Sequence, residues 1–245
     1  MIVKEIQAKT ILSNSQVYPY VINPYIGCQH NCTYCYARFM KRFTGHKEPW
    51  GQFVDVKINA AELLEKALVR KKPATVWISG VCDPYQPLEK SYALTRSCLA
   101  LLAQQDWPVV VQTRSPLVLR DMDVLSRGKC FEVGMSITTA DDRIRQKFEP
   151  GAPAIEERLS ALENLHKAGI KTYAMIAPIL PGAEDLPELL ADKIDYVITD
   201  RMNYNHADWV YEKYGLQDKK SDAYFEQTEK ILGAAFSKLG IPKRY

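Results

Sequence analysis

An α/β domain built on a largely parallel sheet is the fold class the sequence predicts, and three observations carry that reading. Six short segments of strand type alternate with segments of helix type. The strand segments are near-continuous apolar runs, the pattern of strands covered on both faces. No Ser/Gly linker or internal repeat divides the 245 residues, a length that suits one domain.

Taken in order, residues 20–23 (YVIN) form a first strand that leads into a cysteine-rich loop. Residues 59–71 (NAAELLEKALVRK) have the spacing of an amphipathic helix, with Asn59 as its N-cap. Residues 74–79 (ATVWIS) make the second strand, 90–104 a helix, and 108–113 (PVVVQT) the third strand. A short helix over 119–128 ends at Gly128. The fourth strand is 131–137 (FEVGMSI), followed by a helix over 153–168 that Gly169 stops. The fifth strand is 171–180, a short helix covers 184–191, and the sixth strand is 195–199. A last helix over 221–239 precedes Gly240 and Pro242. Periodicity alone does not separate an open doubly wound sheet from a barrel.

Composition narrows the function. Hydrophobic residues make up 47% and charged residues 25%, ordinary values for a soluble globular chain. A net charge of +3 allows nucleic acid as a partner and does not indicate it. The first twenty residues contain no long apolar run, so no signal peptide is expected. No stretch approaches the roughly 20 apolar residues of a membrane span. A cytoplasmic location is therefore expected, and there clustered cysteines point to metal or catalysis rather than disulfides.

Three of the six cysteines cluster. Residues 23–38 read NPYIGCQHNCTYCYAR, placing three residues between Cys28 and Cys32 and two between Cys32 and Cys35. One tight loop with that spacing wraps three thiolates around a compact metal centre, and Gly27 gives it freedom to turn. Four cysteines would close a [4Fe–4S] cluster; three leave one iron open, as a catalytic centre requires. A zinc site completed by His30 or His46 is the alternative reading of the loop.

The spacing C-x3-C-x2-C with an aromatic, here Tyr34, before the last cysteine resembles the signature of the radical S-adenosylmethionine superfamily. The resemblance continues through WGQFVDVKINAAELLEKAL, SGVCDPYQPLEK, SITTADDRI and FEPGAPAIEERLSALENLHKAGI, in the order found in its spore-photoproduct-lyase-like branch. It runs from about Asn23 to Gly182 and is looser after Tyr204. It implies a partial (β/α)6 barrel with the cluster loop after the first strand and the active site at the C-terminal strand ends. It further implies a [4Fe–4S] cluster on Cys28, Cys32 and Cys35, with S-adenosylmethionine on the open iron. Reductive cleavage of that cofactor would start radical chemistry by hydrogen abstraction from a substrate the sequence does not identify. An electron donor such as flavodoxin or ferredoxin is then an expected partner. One domain over 1–245 is expected, with 204–245 a helical extension closing the barrel.

Carried over by position, the cofactor contacts fall on Tyr34 and Tyr36 in the loop, Ser79 and Gly80 at the second strand end, Ser136 at the fourth, and Arg158 on the helix beyond. An arginine suits the methionyl carboxylate. Each has a plainer alternative: strand-end backbone contacts for Ser136, helix-surface pairing with Glu157 or Glu163 for Arg158, and packing for Tyr36. His30 and His46 are expected to face solvent in a loop.

Candidates for substrate chemistry follow the second strand in Cys82, Asp83 and Tyr85, within a run whose plainer reading is a proline-stiffened turn. Cys82 is a candidate hydrogen donor, whereas Cys98 and Cys130 suit packing. The lyase of the resembling branch uses a cysteine two residues before the strand-four serine to return hydrogen. That position is Gly134 here, so efficient repair of spore photoproduct is not expected. Tyr204, Trp209, Tyr211, Tyr214, Tyr224 and Phe225 either stack on nucleobases or, the favoured reading, bury helices of the extension. A repair lyase acting on a damaged nucleobase and a non-catalytic iron–sulfur or zinc protein are the competing functions.

Overall fold

A computed structural model describes residues 1–244. Strands β1 (Ile2–Ile6), β2 (Leu12–Asn14), β3 (Tyr20–Ile22), β4 (Tyr25–Ile26) and β5 (Phe53–Lys57) come first. Helix α1 (Ala60–Leu68), strand β6 (Val76–Ile78), helices α2 (Glu89–Tyr92) and α3 (Leu94–Gln104), and strand β7 (Val109–Thr113) follow. Next are α4 (Met122–Leu125), β8 (Phe131–Ser136), α5 (Asp142–Phe148), α6 (Ile155–Lys167), β9 (Lys171–Ile176), α7 (Leu186–Leu190) and β10 (Tyr196–Thr199). The chain ends through α8 (Asp208–Lys213), α9 (Asp222–Lys238) and β11 (Lys243–Arg244). Among the described residues no helix is long and apolar enough to cross a membrane.

The main sheet has eight strands in the order β11-β10-β9-β8-β7-β6-β3-β2. Its six central strands are the six the sequence pattern names, lying side by side in chain order and parallel. Sequential parallel order with helices between strands is the (β/α)6 arrangement, and it stays open because β2 and β11 are separate edges. With all six central strands pointing the same way, their C-terminal ends form one rim. β2 joins antiparallel to β3. A second sheet, β1-β5-β4, lies outside the six-strand pattern; β1 is exposed over four of its five residues, whereas β5 is buried over four of its five.

Helices follow their apolar stripes. α1 buries Ala60, Leu64 and Leu68, four residues apart, each large side chain contributing roughly 1.5–3 kcal/mol by leaving water. Asn59 precedes α1 but caps no helical N–H; its amide instead pairs with both backbone groups of Ala8 at 2.9 Å. The helix expected over 90–104 divides at Ala93, whose φ is +50°. Glu89 explains the division. Its buried carboxylate accepts from the N–H groups of Thr95 and Arg96 at the start of α3, at 3.0 and 3.3 Å. After α8 and α9, β11 adds a strand parallel to β10.

Candidate active site

The cysteine loop leaves β4 through Gly27, at φ +97°. A Cβ there would lie 2.3 Å from the Phe53 carbonyl oxygen, so only glycine enters this turn. The loop is braced from the rim after β6. Gln86 donates to the Gly27 carbonyl at 3.2 Å and accepts from the Gln29 N–H at 3.0 Å, while Gln29 accepts from the Leu88 N–H at 2.7 Å. At its far side Thr33 donates through backbone and hydroxyl to the Phe148 carbonyl, at 2.8 and 3.1 Å. Arg38 closes the loop on itself by donating to the Thr33 carbonyl at 2.6 Å.

Held this way, Cys28, Cys32 and Cys35 are all free thiols and all border one cavity of about 230 Å³. Burial pushes the Cys28 thiol well above its ordinary range and Cys32 up to about 12; metal ligation supplies the driving force to deprotonate such groups. The donor set fits an iron–sulfur cluster. Trp50 borders the same cavity, and its buried indole N–H has no oxygen or nitrogen partner, as befits a donor beside a sulfur-rich group. Among the described residues no three Cys, His, Asp or Glu side chains converge on one ion position. His30 Nδ1 lies 3.2 Å from Asp83, and His46 is occupied by Asp55 at 2.8 Å and Glu48 at 3.3 Å.

The facing wall is made by the C-terminal ends of the central strands. Asn23, after β3, accepts at Oδ1 from the Ser79 hydroxyl at 2.6 Å and from the Gly80 and Val81 N–H groups at 2.9 Å. One side chain thus fixes the turn after β6. Cys82 Sγ sits 3.0 Å from Ser79 Oγ and faces the cavity. Asp83 is buried and accepts from the Thr113 hydroxyl at 2.6 Å, the Arg114 N–H at 2.7 Å and the Tyr85 N–H at 2.9 Å. Burial alone would raise its pKa, but neighbouring His30 and these donors outweigh that and pull it down to about 2. Asp83 therefore ties the rims of β6 and β7 together as a carboxylate.

Arg114, directly after β7, enters the cavity and donates to the Tyr34 hydroxyl at 3.1 Å. Behind it Glu149 is fully buried, 3.4 Å from Arg114, 2.6 Å from Arg158 and 3.0 Å from Thr138, and it also accepts from Tyr34. Ser136 ends β8, and its hydroxyl accepts from Gln112 at 2.8 Å.

The structure thus brings Tyr34, Tyr36, Ser79, Gly80, Cys82, Asp83 and Ser136 together with the three cysteines around one cavity. Two expected residues lie elsewhere. Arg158 is neither on the helix surface nor in the cavity. It is fully buried, pairs with Glu149 and donates to the Pro153 and Ser136 carbonyls at 3.0 and 3.1 Å, so its charge is already matched. Tyr85 is fully buried beside Asp121, away from the cavity. His30, expected in solvent, is 1% exposed, because Asp83 draws it inward; His46 is likewise held, stacked on Phe53 at 4.2 Å. Cys98 is buried as expected, but Cys130 is exposed. The late aromatics divide: Tyr211 and Phe225 are buried, whereas Tyr204, Trp209 and Tyr214 are exposed. Tyr204 stacks on Tyr36 at 6.2 Å and on His206 at 5.7 Å, at the cavity mouth.

Sequence reasoning missed Asn23, Gln112, Arg114, Glu149 and Trp50. Arg114 carried a usable signal, since it stands at the strand-end position after β7 that Ser79 occupies after β6. Glu149 lay within the FEPG run but had no partner visible in the sequence.

Comparison with known proteins adds family and fold. The radical SAM superfamily model matches residues 22–192. A protein of Methanocaldococcus jannaschii is 39% identical over 173 residues, covering 71% of this chain and 65% of its own length. A Mycobacterium tuberculosis protein is 31% identical over 70% of this chain and 52% of its own, so the matches span about half to two thirds of these relatives. The radical SAM Nalpha-GlyT isomerase of Pseudomonas phage M6 is 25% identical over 65% of this chain and 33% of its own. Spore photoproduct lyase, solved with a dinucleoside spore photoproduct, superimposes with a TM-score of 0.75 at 15% identity, covering 99% of this chain and 82% of that one.

Proposed function

The chain belongs to the radical SAM superfamily, and from that premise we propose that it is an enzyme that cleaves S-adenosylmethionine reductively to abstract hydrogen from a substrate lodged in the 230 Å³ cavity. The observation that carries the proposal is that three free thiols line one cavity together with Arg114, Ser79 and Ser136. When bound, a [4Fe–4S] cluster and the cofactor supply a one-electron reduction and a radical able to take hydrogen.

The chain's own residues bind, orient and seal. Cys28, Cys32 and Cys35 would hold the cluster. Arg114 offers a guanidinium for the cofactor carboxylate, the task the family resemblance implied for Arg158. Ser136 and the Ser79–Gly80 turn offer polar groups for its remaining oxygens and amine. Tyr36, whose hydroxyl bonds the Gly80 carbonyl, joins the cysteine loop to that turn and presents its ring at the mouth. Met175, Pro178 and Met202 line the cavity with apolar surface that excludes water from a reactive intermediate. An electron donor such as flavodoxin or ferredoxin completes the proposal.

Cys82 is proposed to return hydrogen to a substrate radical. Its S–H bond would break and a C–H bond form, leaving a sulfur radical for the external donor to reduce with uptake of a proton. Cys82→Ala should leave iron content and cofactor cleavage unchanged while correct product falls. Product formed at the wild-type rate and distribution would return Cys82 to packing.

A damaged nucleobase as substrate is the second reading. It is favoured by the stacked rings of Tyr36, Tyr204 and His206 at the mouth, since exposed aromatic rings hold bases by stacking. Binding of a single-stranded oligonucleotide with a marked salt dependence supports it, and no binding at low salt removes it. The lesion itself should not be spore photoproduct. At Gly134, where the lyase branch has its donor cysteine, a Cβ would meet Tyr173 Cζ at 2.0 Å. Neither the wild type nor Gly134→Cys should turn the lesion over, and robust turnover by either would refute this.

A further inference from the structure

We propose that Tyr173, on the same sheet face as the cavity-lining Met175 but two residues below it, sets the hydrogen-bonding polarity of Ser136 through Gln112. This rests on the reading above that Ser136 meets the cofactor.

Strand register brings the three residues together. Gln112 on β7 is level with Gly134 on β8, which is level with Tyr173 on β9 and, one strand further, Tyr196 on β10. Adjacent strands lie about 5 Å apart, so Tyr173 and Gln112 are two strands distant. Any side chain at 134 would block the line between them. With glycine there, the Tyr173 ring lies across β8, and its hydroxyl donates to Gln112 Oε1 at 2.5 Å. The ring is kept flat by stacking on Tyr196 at 4.8 Å and 10°. The absence of a side chain at 134 is therefore matched by a specific occupant.

The hydrogen bond has a direction. Tyr173 is 2% exposed, and burial first, then the nearby tyrosines and Glu132, pushes its phenol well above its ordinary range, so it stays a donor. Were the Gln112 amide turned over, its NH2 would face the phenol and the phenolic hydrogen would be buried without an acceptor. Tyr173 thus selects the amide orientation in which Nε2 faces Ser136 and donates to its Oγ at 2.8 Å. Ser136 receives that bond, so its own hydrogen is free for an oxygen acceptor in the cavity. Arg158, donating to the Ser136 carbonyl at 3.1 Å, fixes the backbone beneath it. Ser136 is the group that touches the ligand, and Tyr173 is a positioning residue.

The test uses protein reconstituted with its cluster and measures S-adenosylmethionine affinity by calorimetry without reductant. Tyr173→Phe keeps the ring, its stacking and its fit over Gly134, and removes only the hydroxyl. It should weaken binding roughly 2- to 10-fold, the worth of one hydrogen bond, with iron content and melting temperature unchanged. Ser136→Ala should weaken binding by a similar factor, and the double variant no further. Should Tyr173→Phe fold poorly, Gln112→Leu cuts the same link. If Ser136→Ala weakens binding while Tyr173→Phe binds as the wild type, or if the two effects add, Tyr173 does not act through Ser136. If Ser136→Ala itself binds as the wild type, the placement of the cofactor at Ser136 fails, and this inference with it.

Discussion

Replacing Cys28, Cys32 or Cys35 by alanine should abolish iron incorporation and S-adenosylmethionine cleavage together, while the fold survives. The expectation follows from how the loop is held. Gln86, Thr33 and Arg38 brace it through backbone groups, not through sulfur. Removing one thiol therefore leaves the loop in place but takes away one of three ligands, and a cluster with two protein ligands is not retained. Circular dichroism and a melting curve of the apo-protein check the fold; iron and sulfide analysis after anaerobic reconstitution checks the cluster. Full iron content in any of the three variants would show that its thiol is not a ligand.

Glu149→Ala should destabilise the protein by about 3–5 kcal/mol, the loss expected when one partner of a buried ion pair is removed. Glu149 is the common partner of Arg158, Arg114, Tyr34 and Thr138, and its side chain is fully buried. Its loss leaves the Arg158 charge buried without compensation. Desolvation would raise the Glu149 pKa, but the Arg158 and Arg114 charges and the Tyr34 bond outweigh it and hold it at about 2. A carboxylate depressed in the folded state stabilises it above the unfolded value of roughly 4.3. That stability is lost as pH falls towards 2. The advantage of wild type over Glu149→Gln in urea unfolding should thus be full at pH 7 and shrink between about pH 4.3 and 2. An advantage independent of pH across that window would mean that the charge of Glu149 contributes nothing. Because Tyr34 sits between Cys32 and Cys35, the same variants should also loosen cluster binding.

What the sequence made legible was what is local or periodic. The six central strands stood out as apolar runs because both faces are covered, and the cysteine triad stood out because its ligands lie within one turn of chain. β1 and β11 were invisible because edge strands carry little apolar signal. The family resemblance carries Arg158 over to the cofactor, and its helix position in the sequence does not tell a ligand site from a buried ion pair. Only the fold reveals a fully buried Glu149 to match it. Tyr85 shows the reverse error: two residues beyond Asp83, which faces the cavity, the chain has already turned inward towards Asp121. Gly134 was read as a missing donor; the structure adds that Tyr173 fills its place, information held 39 positions away and reachable only through register.

As proposed, Cys28, Cys32 and Cys35 would hold a [4Fe–4S] cluster, and S-adenosylmethionine would bind in the cavity bounded by Arg114 and Ser136. The most direct measurement is iron analysis and low-temperature electron paramagnetic resonance of the anaerobically reconstituted, reduced protein, with and without S-adenosylmethionine. About four irons per chain, the content of one cubane, and a signal that changes on adding the cofactor are the predicted result. Tightly held zinc with no cluster, or a cluster signal that the cofactor leaves unchanged, would contradict it.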